Sequence, residues 1–188
     1  MNIRLQLLQA ALRLFAEEGY NAVGTQKIID SVGVSKPTLY HYFGSKAGIL
    51  QEIMDNFSDS FFPEFTKSAT FNGDLVWCLE NTMETLFHKG VTNEEFFRLL
   101  LTLSLAPPKS EEAAIAAGFL NEIYKILETL FINAEPQHGN IRGKSHILAH
   151  VFFSTAGTYL KFFWNGMLTA ERNTAYLAVK QFMHGIYS

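Results

Sequence analysis

A chain of 188 residues holds one medium domain, or a small domain built onto a larger one. With 48% hydrophobic and 18% charged residues, its composition excludes wholesale disorder. The single cysteine, Cys78, excludes a disulfide framework and fits a reducing cytoplasm, the expected location. At the start, Met1-Asn2-Ile3-Arg4-Leu5-Gln6 lacks the basic-then-apolar layout of a secretory signal. The most hydrophobic segment, Ile147 to Trp164, carries His150 and Lys161, so it reads as a buried helix and no membrane partner is expected.

Apolar spacing of three to four predicts helix almost throughout, with no repeat or low-complexity segment. A first helix over 2–18 gathers Ile3, Leu7, Leu8, Ala10, Ala11, Leu14 and Phe15 on one face, and Gly19 stops it. Thr25 is the expected N-cap of a second helix through Ile28, Ile29 and Val32, which Gly33 closes. Ser35 caps a third, Pro37 sits in its first turn where the missing N–H costs nothing, and Gly44 ends it after Phe43. Ile28, Val32, Val34, Leu39 and Phe43 form the apolar side of this pair. Lys36, Thr38, Tyr40, His41 and Tyr42 are left for solvent or a partner. Two short helices joined by a glycine turn, the second opening with small polar and aromatic residues, make a helix-turn-helix with its recognition helix at 36–43.

A fourth helix is expected from the Ser45 cap to about Phe61, with Pro63 ending it or following its end and a polar connector over 66–73. Further helices follow at 74–88, 93–105, 110–133, 144–167 and 171–186, bounded by Gly90, Pro107-Pro108, the loop 134–143 and Thr169. The count is nine, the fold class all-α. Charge divides unevenly. Residues 1–50 hold five basic and three acidic side chains, net +2, whereas 51–188 hold ten and fifteen, net −5. A mildly basic end that is also the helix-turn-helix points to nucleic acid.

The segment from Ile3 to Leu50 resembles the DNA-binding domain of the TetR family of bacterial transcriptional regulators. Three stretches carry the likeness: Ala10-Ala11-Leu12-Arg13-Leu14-Phe15 with Gly19-Tyr20; Thr25 through Ser35; and Thr38-Leu39-Tyr40 with Phe43, Ser45, Lys46 and Leu50. The resemblance implies a DNA-binding head at 1–46 and a ligand-binding and dimerisation body at 47–188. It implies a homodimer on palindromic double-stranded DNA, released by a small-molecule inducer. Thr25, Tyr40 and Lys46 would then meet phosphate. Lys36, Pro37, Thr38 and His41 would lie nearest the bases, and Tyr42 would reach phosphate where many relatives have histidine. Pro37 replaces a glycine common in the family. Two departures stand out: with only Met1 and Asn2 before the first helix, little contribution from a basic arm is expected, and Gly48 replaces an acidic residue and is expected to loosen the fourth helix's first turn.

The same resemblance implies that the last two helices pair with a second copy. The candidates are Phe152, Ala156, Gly157, Leu160 and Phe163 on one, and Tyr176, Val179 and Met183 on the other. A pocket in the body would draw on Phe57, Phe61, Trp77, Cys78, Asn81, Phe97, Leu101, Ser104, Tyr124, Phe153 and Tyr159. Seventeen phenylalanines, and no basic residue between Asp74 and Lys89, favour an apolar ligand, neutral or cationic. The alternative is a DNA-binding regulator whose body binds a protein partner and no small molecule.

Other chemistry finds little support. His146 and His150 stand at i, i+4, but no third ligand occurs at recognised spacing, so no metal and no cofactor are expected. Glu111-Glu112 reads as helix-start charge, and Cys78 as packing. No nucleophile elbow, P-loop or dinucleotide fingerprint is present, so no catalytic residue is assigned and the chain is not read as an enzyme.

Overall fold

The computed structural model describes residues 2–185; Met1 and residue 186, the expected end of the last helix, lie outside the described residues. The chain is all-α, with nine α-helices and no strand among the described residues. They are α1 (Ile3–Glu18), α2 (Thr25–Val32), α3 (Lys36–Phe43), α4 (Lys46–Ser68), α5 (Leu75–Thr92), α6 (Glu94–Leu103), α7 (Glu111–Ala134), α8 (Ser145–Trp164) and α9 (Arg172–His184), with a 3-10 turn at Gly139–Ile141. None is long and apolar enough to cross a membrane.

By packing, the chain divides into two compact units, one of residues 1–59 with 95–120 and one of 60–94 with 121–188. This is a different cut from the functional head and body expected from the sequence, because part of α6 and the first half of α7 cluster with the N-terminal helices.

In the first unit, Asn2 caps α1 by accepting the Arg4 N–H at 3.0 Å. Leu7, Ala10, Ala11, Leu14 and Phe15 of α1 are buried with Ile28, Leu39, Ile49 and Leu50. Phe57 stacks on Phe96 at 3.7 Å, and Phe96 meets Phe119 edge-on at 5.2 Å. Ser45 caps α4 through its Oγ, which accepts the Gly48 N–H at 3.0 Å. The first turn is therefore held, not loosened, at Gly48. A Cβ built there would stand 2.0 Å from the Phe43 carbonyl oxygen, so glycine is what lets the α3–α4 turn close.

In the second unit, α5 packs on both α8 and α9. Phe61 stacks on Phe65, Phe87 meets Phe163 edge-on at 4.8 Å, and Phe152 meets Phe182 at 5.3 Å. Two punctuation marks read from the sequence are corrected. Pro63 lies inside α4, which continues to Ser68. Pro63 stands on the exposed side of the helix, where the backbone hydrogen bond it cannot donate costs least, while burial of Phe61, Phe65 and Ser68 carries the helix on. Gly90 likewise ends nothing: it is buried inside α5. A Cβ there would come within 2.3 Å of Leu160 Cδ2, and the Gly90 carbonyl accepts the Trp164 indole N–H at 3.1 Å. The glycine lets Leu160 and Trp164 of α8 lie directly on α5.

Candidate nucleic-acid interface

Gly33, at φ 75°, takes the left-handed conformation that turns the chain out of α2, and its N–H returns to the Ile29 carbonyl at 2.8 Å. The N-cap of α2 is Gly24, not Thr25, and it carries no side-chain cap; Thr25 is the first helical residue and half-buried. Ser35 holds the N-cap of α3 as expected, but its Oγ lies 2.8 Å from Thr38 Oγ1 and does not cap a backbone N–H. The hydroxyl pair fixes the rotamer of Thr38 at the leading turn. Leu39 and Phe43 are buried, Val32 and Val34 half-buried, and α3 is thereby anchored by one side.

The other side of α3 faces solvent. Lys36, Pro37, Tyr40, His41 and Tyr42 are exposed, Tyr40 at 41% and Tyr42 at 38%, and Thr38 is half-buried. Tyr40 and Tyr42 give this side of the short helix two aromatic bodies with hydroxyl tips, suited to a surface that is apolar at one end and wet at the other. The Lys36 ammonium lies 5.8 Å from the Tyr40 ring centroid, and His41 meets Tyr42 edge-on at 5.4 Å. The row offers a cation, hydroxyls and an imidazole from one short helix.

Lys46 is turned inward. Its Nζ donates to the carbonyls of Tyr20 at 3.0 Å and Val23 at 3.2 Å, and lies 4.1 Å from the Tyr20 ring centroid. A cation at a helix start opposes the dipole, and these carbonyls and the ring compensate. The residue thus ties the α1–α2 turn to the start of α4.

The same turn is held from a second direction, which the sequence did not reveal. Asn21 Nδ2 donates to Glu112 Oε1 at 2.7 Å, and the Tyr20 hydroxyl to Glu111 Oε2 at 3.3 Å. Glu112 is buried, so the pair read as helix-start charge is an anchor between α7 and the base of the helix-turn-helix. Its own backbone N–H and the Asn21 amide hold the Glu112 carboxyl below the usual carboxylate range, with help from Lys46. Burial, then the Glu111 carboxylate, pushes the Tyr20 hydroxyl well up.

The expected pocket residues are divided between the units. Phe57, Phe97, Leu101 and Ser104 belong to the first, where Phe57 and Phe97 meet at 5.8 Å and Ser104 is exposed. Phe61, Trp77, Cys78, Asn81, Tyr124, Phe153 and Tyr159 belong to the second. There Tyr124 and Phe153 meet at 5.8 Å, while Trp77 is 47% exposed and lies on the surface. Cys78 is buried and donates to the Thr70 carbonyl and Asn72 Oδ1, and burial pushes its thiol up. A cavity of about 250 Å³ in the second unit is lined by other residues, among them Leu75, Leu79, Phe131, Ile141, Leu148 and Phe182.

The expected dimer stripe is also turned. Phe152, Ala156, Gly157 and Leu160, with Val179 of α9, are buried in the chain's own core, and Phe163 packs on Phe87. Phe152 meets Phe131 and Phe182, and Leu160 covers Gly90, so α7, α5 and α9 have taken that side. Exposed on α8 instead is the row Ile147, Val151, Ser154 and Thr158, and on α9 Tyr176, Leu177 and Met183.

The family model for bacterial regulatory proteins of the tetR family matches residues 7–53, which contain α2, the turn and α3. The HTH-type transcriptional repressor KstR2 of Rhodococcus jostii is 33% identical over 84 residues, 45% of this chain and 41% of that protein. The HTH-type transcriptional activator FasR of Mycolicibacterium smegmatis is 47% identical over 97 residues, 52% of this chain and 44% of that protein. In these matches the chain spans less than half the length of either curated relative. The crystal structure of the transcriptional regulator FadR from Bacillus subtilis, in complex with stearoyl-CoA, superposes with a TM-score of 0.77 at 19% identity, over 97% of this chain and 98% of that one. At that identity the likeness is one of fold.

Proposed function

We propose, from the premise that this chain belongs to the TetR family of bacterial regulatory proteins, that it is a cytoplasmic, sequence-specific DNA-binding transcriptional regulator acting as a homodimer. The observation that carries this is α3, locked by Leu39 and Phe43 while Lys36, Tyr40, His41 and Tyr42 face solvent. Inserted N-terminus first into a major groove, α3 places Lys36, Pro37, Thr38 and His41 at base edges. Tyr40 and Tyr42 reach the phosphates, and Thr25 meets them from the start of α2. Lys46 serves from behind, by fixing the α1–α2 turn.

A second copy docks on Ile147, Val151, Ser154 and Thr158 of α8 and on Tyr176 and Met183 of α9, so that each dimer carries two recognition helices for an inverted repeat. Repression relieved by an apolar ligand, neutral or cationic, is the reading the aromatic body supports. A second ligand chemistry, an acyl thioester, is favoured by the FadR complex with stearoyl-CoA. Control passes through Glu111 and Glu112: a ligand that shifts α7 pulls on Tyr20 and Asn21 and so on the recognition helix.

The test is binding to duplex DNA across ionic strength. A dimer making about six to ten phosphate contacts loses roughly 10³–10⁵ in affinity between 50 and 200 mM salt, and a flat response overturns the footprint. A panel of neutral apolar, cationic aromatic and acyl-CoA compounds, scored for raised Tm and DNA release, decides the ligand. If none acts, the body binds a protein partner instead.

A further inference from the structure

The third ligand that the spacing of His146 and His150 lacked is supplied across space by Glu128 of α7. One side-chain ligand atom from each of Glu128, His146 and His150 lies within 4.8 Å of the others. His146 Nδ1 stands 2.5 Å from Glu128 Oε1, and the two imidazole rings are 4.6 Å apart. His150 is stacked on Tyr124 at 3.7 Å, so its ring plane is set before any ion arrives. His146 is exposed and Glu128 and His150 half-buried, so the site is open to ions from solution. We propose that Glu128, His146 and His150 form a site for a divalent transition metal of the Zn²⁺ type, clamping α7 to α8 with the fourth position open to water.

The chemistry of the set decides the ion. Two imidazoles and one carboxylate suit Zn²⁺, Co²⁺ and Ni²⁺ over Mg²⁺ or Ca²⁺, which prefer all-oxygen shells of six or more. Ligand atoms about 2.0–2.2 Å from one tetrahedral ion stand about 3.3–3.6 Å apart. The cluster must therefore adjust by roughly an ångström, its widest separation closing from at most 4.8 Å and the His146–Glu128 pair opening from 2.5 Å, and the exposed His146 side chain is free to give up that pair. The ion replaces the His146–Glu128 hydrogen bond, and no backbone has to move for two histidines one helical turn apart to share it.

The experiment uses the full chain without a polyhistidine tag, stripped with chelator and titrated with Co²⁺. The expected result is one Co²⁺ per chain with the visible absorption of a tetrahedral ion, displaced by Zn²⁺. His146→Ala, a surface change that leaves the core intact, lowers the affinity at least tenfold, and so does Glu128→Ala. At about a hundredfold excess over the wild-type Kd, Zn²⁺ raises the Tm of the wild type by roughly 5–10 °C and that of His146→Ala by about half as much or less. Absence of the tetrahedral spectrum, or equal affinity in His146→Ala, overturns the proposal and leaves a histidine–carboxylate ion pair.

Discussion

Replacing Lys46 with methionine keeps the aliphatic stem and removes the ammonium, and the structure gives the cost. Two charge-assisted hydrogen bonds, to the carbonyls of Tyr20 and Val23, are lost from a half-buried position. Each contributes about 1.5–3 kcal/mol when fully shielded and about 1 kcal/mol with this exposure. The Tyr20 ring at 4.1 Å adds about 0.5–1 kcal/mol, and relief of the dipole at the start of α4 returns about 0.5 kcal/mol. The sum is close to 2 kcal/mol, or about 4–8 °C in Tm for a chain of this size. Thermal unfolding by circular dichroism at fixed protein concentration measures it, with Lys36→Met, an exposed lysine on the same domain, as reference. Lys36→Met changes stability by no more than about 0.5 kcal/mol. Should Lys46→Met leave Tm as unchanged as Lys36→Met does, while lowering the salt dependence of DNA binding by about one phosphate, Lys46 is a phosphate ligand and its positioning role is refuted.

Four further outcomes are expected. Lys36→Met lowers the slope of log K against log salt by about 1 while Tm holds. Glu112→Gln destabilises by about 1–2 kcal/mol at neutral pH, through weakening the Asn21 contact. Because the folded carboxyl titrates below its unfolded value, its stabilisation is present above the ordinary carboxylate range and lost as pH falls through the folded value; the gap between wild type and variant therefore closes on acidification in pH-dependent melts. Gly90→Ala overpacks Leu160 at about 1–3 kcal/mol, less about 1 of helix propensity, and Leu160→Ala costs about 2–5; a double-mutant cycle in urea gives less than their sum by about 1 kcal/mol or more, because the alanine fills part of the cavity. Val151→Lys, on the exposed row of α8, yields monomers in sedimentation velocity and weakens DNA binding by the loss of the second head, with the monomer fold intact.

The helix-turn-helix was legible because its punctuation is local. Gly33 and Gly44 need positive φ, Pro37 fits only a first turn, and Leu39 and Phe43 fix which side of α3 is inside. The expected span of 36–43 is the observed one. The body was legible as helices but not as faces. Periodicity shows that α8 carries a stripe of Phe152, Ala156, Gly157 and Leu160, and is silent on whether α5 and α9 or a second chain covers it. Gly90 looks like a terminator until Leu160 is seen above it, and Pro63 looks like one until its side is found in water. The Asn21–Glu112 contact and the Glu128 partner of His146 join residues 91 and 18 positions apart, distances at which no local pattern carries a signal. Trp77 is a pocket candidate under the resemblance, but its apolar character does not distinguish a core side chain from an exposed one, and it lies on the surface.

The most direct test of the central claim is selection of sites from a random duplex library by the wild type and by Tyr40→Ala in parallel, with Tm confirming that both are folded. The expected result is an enriched inverted repeat for the wild type, with half-sites about one helical turn apart, and loss of that enrichment for Tyr40→Ala. Random recovered sequences from the wild type, or the same repeat enriched equally by the variant, would contradict readout through α3.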